Sequence, residues 1–267
     1  VGAGLNVQGL RLFVYLVVAL MLLPVLITLP VALTTVPRIS FPPVGIGLHW
    51  FSAIFSDDIL LQAIVRSFWL ALASSVIAIL IALPCALAIQ RGPHRARTLV
   101  ETVITGPRMI PQIVLVLGML VYFEQLALAE TFLGLLLAHL VLTVPFAFRT
   151  LLVGAAGLDR RLEWSSAVLG ASPARTFLLV VLPQLKTAVI AAMIFGFVLS
   201  FNNVTLALFL SGIGQRTLPV EMFNRMYVGG MTPVIPAIAF VLALSGVVLF
   251  IILDRTVGVY RYLAGTN

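Results

Sequence analysis

Apolar residues fill this chain in blocks too long and too continuous for the helices of a soluble domain. A membrane-spanning helix needs about 20 predominantly apolar residues. Six segments meet that length: 12–34, 64–90, 103–123, 132–153, 186–210 and 234–254. The first follows Arg11 and is too long for a cleavable signal segment. Pro24, Pro30, Pro84, Pro111 and Pro145 fall inside these blocks. Neighbouring helices can satisfy the backbone groups a proline frees, so kinks are expected at these positions, not breaks. Between the first two blocks, Pro37, Pro42, Pro43, Gly45 and Gly47 mark turns. The aromatic run HWFSAIFSDD at 49–58 then reads as an interfacial helix at headgroup level. The segment 211–233 reads as a polar loop. The pattern predicts an all-α integral membrane protein, with 1–267 as a single transmembrane domain of six helices.

One interruption differs in kind. LEWSSAVLGASPARTFLLVVLPQL, Leu162–Leu185, separates the fourth block from the fifth and mixes polar with apolar positions at helical spacing. Gly170 permits a turn that a Cβ would resist. Ser172 followed by Pro173 reads as an N-cap with proline in the first helical position, and Pro183 ends or kinks the second helix before the fifth block. Two short helices at an angle, lying at the membrane surface within about 156–185, are the expectation.

Charge supplies the orientation. Twelve of the 16 basic residues (Arg11, Arg91, Arg95, Arg97, Arg108, Arg149, Arg160, Arg161, Arg175, Lys186, Arg255 and Arg261) fall on the side of the N-terminus when six spans are threaded. Arg38, Arg66, Arg216 and Arg225 fall on the other. The positive-inside rule therefore places both termini and the interruption in the cytoplasm. Composition agrees: 61% hydrophobic and 9% charged residues, with a mean hydropathy of +1.18, leave too few charges to solvate a globular surface. The net charge of +7 reads as loop arginine facing the cytoplasm, not as a nucleic-acid surface. A single cysteine, Cys85, excludes a disulfide or a cysteine-based metal site within the chain.

Catalytic chemistry is missing. Lys186, the one lysine, precedes Thr187, but positions 180 and 185 are valine and leucine where a phosphate-binding loop needs glycines, so ATP hydrolysis is expected in a separate subunit. No H-E-x-x-H or G-x-S-x-G is present, and His49, His94 and His139 cannot share a site on this topology. No catalytic residue and no metal ligand is assigned. An ion-coupled secondary transporter would need an intramembrane acid or a half-helix ion site, and no block has a central Asp or Glu. The fifth block does carry FVLSFNNVTLALFL, in which Asn202 and Asn203 sit where an amide is costly unless it is paired or lines water. Interhelical hydrogen bonding and a place in a solute pathway both fit; Phe201, Thr205 and the external acid Glu221 complete the candidate pathway set. Glu124, Glu130 and Glu221 read individually as solvated loop charges. His139 reads as a neutral side chain hydrogen-bonded across helices.

The interruption also resembles a family signature. In the EAA loop of binding-protein-dependent ABC importer permeases, E-A-A is followed by three residues, Gly, nine residues, an aliphatic, any residue and Leu-Pro. Anchored on Gly170, the aliphatic falls on Val180 and the Leu-Pro on Leu182 and Pro183. The glutamate position falls on Trp164 and the alanines on Ser165 and Ser166, while the acid stands one place earlier, at Glu163. One residue is about 100° around a helix. Other stretches are similar in order: GLHWFSAIFSDDILLQAIVRSFWLALASS, GPRMIPQIVLVLGML and LLLAHLVLTVPFAFRTLLVGAAGLDRRLE. LPVEMFNRMYVGGMTPVIPAIA is similar to the spermidine/putrescine branch, and the resemblance covers about 45–255.

The resemblance implies the permease subunit of an ATP-driven importer in the bacterial cytoplasmic membrane. It implies half of a pathway for a small organic solute, polyamine-like or an amino-acid derivative such as an opine. Partners implied are a second, non-identical permease, two ATPase subunits that hold ATP and Mg, and an extracytoplasmic substrate-binding protein. The chain itself takes no cofactor. Each ATPase would grip one loop, so Glu163, Trp164, Ser165, Ser166, Gly170, Val180, Leu182 and Pro183 become coupling residues. Ferric iron or thiamine as cargo, or an ion-coupled transporter, are the alternatives.

Overall fold

The computed structural model of the chain describes residues 7–92, 94–212 and 214–257. Arg261, counted above as cytoplasmic, and the side chain of Arg95 lie outside the described residues. Every regular element among the described residues is helical. In order these are α1 (Val7–Ala32), α2 (His49–Ser56), α3 (Asp58–Arg91), α4 (His94–Thr105), α5 (Gln112–Gln125) and α6 (Phe132–Ala156). There follow α7 (Arg160–Val168), α8 (Pro173–Thr176), α9 (Leu182–Gln184), α10 (Lys186–Phe201), α11 (Val204–Leu210), α12 (Leu218–Tyr227) and α13 (Val234–Val257). A wide π-helical turn, Phe177–Val181, joins α8 to α9 without interrupting the helix. Among the described residues, three helices are long and apolar enough to cross a membrane, or up to five if each of two bent pairs counts as one crossing.

The prolines behave in two ways. Pro24, Pro30, Pro84 and Pro145 lie inside continuous helices, as the sequence predicts. Pro111 does not. The third block splits into Arg97–Met109 and Gln112–Gln125, which meet at 97°. Ile110 is extended (φ −85°, ψ 131°), the conformation a following proline favours, and Pro111 caps α5. A Gly106–Met109 3₁₀ turn carrying Pro107 precedes the break, so two prolines four residues apart end one helix before the next begins.

The chain divides into two compact units, Val1–Leu61 with Met222–Ile252, and Gln62–Glu221 with Leu253–Asn267. In the first, α1 exposes apolar side chains from Leu10 to Ile27 and is buried at Val31 and Ala32. Its C-terminal end is fastened through Trp50, whose Nε1 donates to the Thr34 carbonyl at 2.7 Å. The aromatic segment that the sequence reads as interfacial is helix α2, and Phe51 meets Phe240 edge-on. Arg225 donates to Asp57 at 2.7 Å.

The second unit holds the main core, and small residues let its helices approach. On α3, Ala78, Ala82 and Ala86 recur every four residues and pack in one cluster with Ala147, Phe148 and Leu151 of α6 and Ala188 and Ala192 of α10. Gly196 continues the α10 series, and a Cβ there would come within 3.3 Å of the Ser75 Cβ. A second cluster joins Leu70, Val116, Phe123, Leu135 and Ala138 to Leu206, Leu210 and Val220. The expected polar loop after α11 contains a helix, α12, that the sequence pattern did not reveal.

Candidate functional site

The interruption between α6 and α10 folds as a helical hairpin. Asp159 caps α7, its Oδ1 accepting from the Arg161 N–H at 2.9 Å. The turn falls at Gly170, whose φ of +80° is a conformation that side-chain-bearing residues resist. Ser172 then caps the second arm with Pro173 in its first turn. The arms are cross-tied: Ser166 shares a hydrogen bond with Thr176 (2.9 Å), and the Asp159 N–H donates to Gln184 Oε1 (3.2 Å). An alanine at 166 would have no hydroxyl to make the first tie. The neighbouring hydroxyl, Ser165, bonds back to the Arg161 carbonyl within α7.

Glu163 and Trp164 have opposite fates. Glu163 turns toward the bundle, where its Oε2 accepts from Arg91 at 2.6 Å and its side chain is 17% exposed. Trp164 stands 66% exposed, and Val168 and Leu169 at the hairpin tip are 88% and 86% exposed. Glu163 and Trp164 both line a cavity of ≈ 270 Å³, together with Ala167, Pro173, Phe177 and Val181. The 100° offset anticipated from sequence is thus realised as one residue facing in and the next facing out.

The hairpin joins α10 through a bend of 70° between Pro173–Gln184 and Lys186–Phe201. Pro183 sits within the first segment; the bend falls two residues later, at Leu185, which is fully buried. Leu185 packs with Val181, Leu87 and Ala155, and Phe177 and Leu83 lie against them. Val180 and Leu182 are half-buried beside this cluster, and Pro183 is exposed.

The second candidate group departs from expectation. Asn202 and Asn203 do not sit inside a continuous helix; they end α10 and begin α11. Asn203 Oδ1 accepts from the Leu206 N–H at 2.9 Å as an N-cap, and Asn202 Nδ2 donates back to the Val198 carbonyl at 3.1 Å. Neither of these bonds crosses to another helix. Asn202 is exposed, while Asn203, Phe201 and Thr205 are half-buried; Phe201 stacks on Phe197 at 5.5 Å. Glu221 is corrected outright. It is 4% exposed, not a solvated loop charge, and lies 3.5 Å from Arg216. His139 matches its reading: Nδ1 lies 2.7 Å from Ser200 Oγ across α6 and α10. Among the described residues no three His, Cys, Asp or Glu side chains gather as a metal site. Sequence reasoning missed the ties of Arg91 to Glu163, Arg160 to Gln90 and Gln184 to Asp159, whose partners are 72, 70 and 25 residues apart.

Residues 77–259 match the family described as the binding-protein-dependent transport system inner membrane component. The chain belongs to that family. It is 30% identical over 207 residues to the spermidine/putrescine transport system permease protein PotC of Escherichia coli, covering 78% of each chain. With PotC of Haemophilus influenzae it shares 27% identity over 246 residues, covering 91% of this chain and 95% of that one. The putrescine transport system permease protein PotI of Escherichia coli is 29% identical over 215 residues, covering 78% of this chain and 76% of its own. The fold is similar to that in the crystal structure of a bacterial ABC transporter involved in the import of the acidic polysaccharide alginate. That likeness has a TM-score of 0.76 over 96% of this chain and 98% of the other, at 13% identity, and speaks for the fold alone. This chain is accordingly a permease subunit of an ABC importer, a multi-pass inner-membrane protein and not the catalytic component.

Proposed function

We propose that the permease crosses the membrane six times as one transmembrane domain, with both termini in the cytoplasm. The hairpin of α7 and α8 then receives the stroke of an ATPase subunit. The observation that carries this reading is the hairpin's exposed apolar tip. Trp164, Val168 and Leu169 are solvent-facing beside the Gly170 turn, and such a patch marks a contact surface. A stiff attachment supports it, because the arms are cross-tied and Leu185 anchors the bend in the core. Glu163, Ser165, Ser166, Gly170, Val180, Leu182 and Pro183 build that lever, and Trp164 is its outward contact. Two ATPases carrying ATP and Mg, a second permease of different sequence and an extracytoplasmic binding protein complete the transporter.

The cargo is a small organic cation of polyamine type or an amino-acid derivative such as an opine. The relatives named for spermidine and putrescine favour it, and Phe201, Asn202, Asn203, Thr205 and Glu221 are the pathway candidates. Replacing Gly170 with valine in the assembled transporter tests the lever, since φ +80° is strained for a β-branched residue. The expected result is loss of transport-coupled ATPase activity with membrane insertion intact; normal coupling would sink the docking role. Melting shifts of the cognate binding protein with polyamines, opines and amino acids identify the cargo class.

A further inference from the structure

Helix α3 is fastened by polar side chains near both ends of its run through the larger unit. At its C-terminal end, Arg91 donates to Glu163 at 2.6 Å, and Arg160 donates to the Gln90 carbonyl at 2.7 Å. That carbonyl is among the last four that a helix leaves without an internal partner, so Arg160 completes the helix end while tying it to α7. Leu87 and Leu83, one and two turns back, pack against the Leu185 bend. Toward the other end, Arg66 Nη1 donates to the carbonyls of Gly214 (3.1 Å) and Arg216 (3.2 Å). Ser67, 2% exposed, accepts from the Leu218 N–H at 2.7 Å where α12 begins. Arg216, just before α12, lies 3.5 Å from Glu221 in its first turn.

Arg66 and Arg91 are 25 residues apart on one uninterrupted helix, about 38 Å at 1.5 Å per residue. Pro84 lies between them, but Ala82 and Ala86 on either side of it are fully buried against α6 and α10, so a kink there has no room to flex.

We propose that α3 is a rod that carries displacement of the α7–α8 hairpin to the 211–218 segment on the opposite membrane face, with Glu163, Arg91, Arg160 and Arg66 as positioning residues. The proposal rests on reading the hairpin as the ATPase contact. A hairpin moved as a rigid body pulls the end of α3 through two charge-assisted hydrogen bonds and the Leu87–Leu185 packing. The buried part of α3 slides as a unit because close-packed cores shift between discrete arrangements and do not stretch. At the far end the moving groups are backbone carbonyls and a backbone N–H, so displacement of α3 reshapes the 211–218 main chain. Glu163 on this account faces inward as a strut, while Trp164 makes the outward contact.

The test needs no cargo. In a Cys85→Ser background, a fluorophore on Gln215→Cys, an exposed position, reports the outer segment as ATP is added to the assembled transporter. The intact chain is expected to give an ATP-dependent signal. Glu163→Gln and Arg66→Gln each cut its amplitude several-fold. The double variant is no worse than the weaker single, because both break one line of transmission. The exchange Arg91→Glu with Glu163→Arg restores at least half of the amplitude. Full amplitude in either single variant, multiplied losses in the double, failed rescue by the exchange, or no signal in the intact chain would overturn the rod. Arg66→Lys and Glu163→Asp stand in for any variant that fails to assemble and are read by the same criterion. Crosslinking from Trp164→Cys to the ATPase separates the two readings. Crosslinks with an unaffected outer signal remove only the rod, whereas absence of crosslinks removes the docking role and the rod with it.

Discussion

Helix α10 is bounded by two interruptions built in opposite ways. At its N-terminal end the chain bends by 70° at Leu185, a fully buried side chain set among Val181, Leu87 and Ala155. At its C-terminal end it breaks at Asn202 and Asn203, whose side chains serve the local backbone. The first bend is held by packing with other helices and so couples their positions. The second is shaped by hydrogen bonds within its own few residues, while α11 itself packs through Leu206 and Leu210 into a separate cluster with Leu70, Val116 and Leu135. On the proposed function, the first construction is the one a lever needs. The bend joins the hairpin to the bundle; the break leaves the Asn202 side chain exposed.

The strongest way to break this contrast is to empty the packed bend. Leu185→Ala should destabilise the protein by about 2–5 kcal/mol, the range for truncating a buried leucine. Unfolding of the purified complex in detergent measures the loss, and transport per ATP should fall with it. A change below about 1 kcal/mol would mean that the bend is held by the backbone and not by the cluster. Asn203→Ala comes next. It removes the N-cap of α11 and should cost about 1 kcal/mol, with Asn203→Ser recovering most of it. Asn202→Ala should change stability by less than about 0.5 kcal/mol, since its amide bonds back to its own helix and it is exposed. An equal loss at both asparagines would contradict the assignment of the cap to Asn203 alone.

The hairpin was legible in the sequence because its determinants are local. Gly170, the Ser172–Pro173 pair and the alternation of apolar and polar residues each act within a turn or two, and the structure has each where it was read. The break at Asn202–Asn203 was hidden by its surroundings. In an apolar run an asparagine reads as a burden to be paired, yet Asn203 is also a strong N-cap residue followed by Val-Thr-Leu. The signal was present and was weighed against the wrong alternative. Pro111 misled for a related reason: a lone proline kinks a membrane helix, but Pro107 four residues earlier had already ended it. Arg91–Glu163 was not readable at all. Its partners are 72 residues apart, and only the packing of α3 against the hairpin brings them together. Burial of Glu221 likewise follows from Arg66 and Ser67 pinning the segment before it, contacts made across about 150 positions.

A third helix end sharpens what capping contributes. Asp57 stands at the N-terminal end of α3, its Oδ1 accepting from the Leu60 N–H at 3.0 Å and its Oδ2 from Arg225 at 2.7 Å. The hydrogen bond from Arg225 is the main reason its carboxyl is held below the usual range, with the Leu60 and Ile59 N–H groups helping and partial burial opposing. A depressed folded-state pKa means that the stabilisation is fully present above the ordinary carboxylate value of about 4. It is lost as the pH falls through the lower folded value. The amide cap at Asn203 has no such dependence. Melting temperatures of the purified protein between pH 6 and pH 3 should therefore fall less steeply for Asp57→Asn than for the parent chain, while Asn203→Ala shifts the whole curve without changing its slope. The effect is the smallest of the set, because Asp57 remains partly open to water. Parallel curves for Asp57→Asn and the parent would show that the carboxylate cap and its Arg225 partner hold this helix end no more firmly than an amide does.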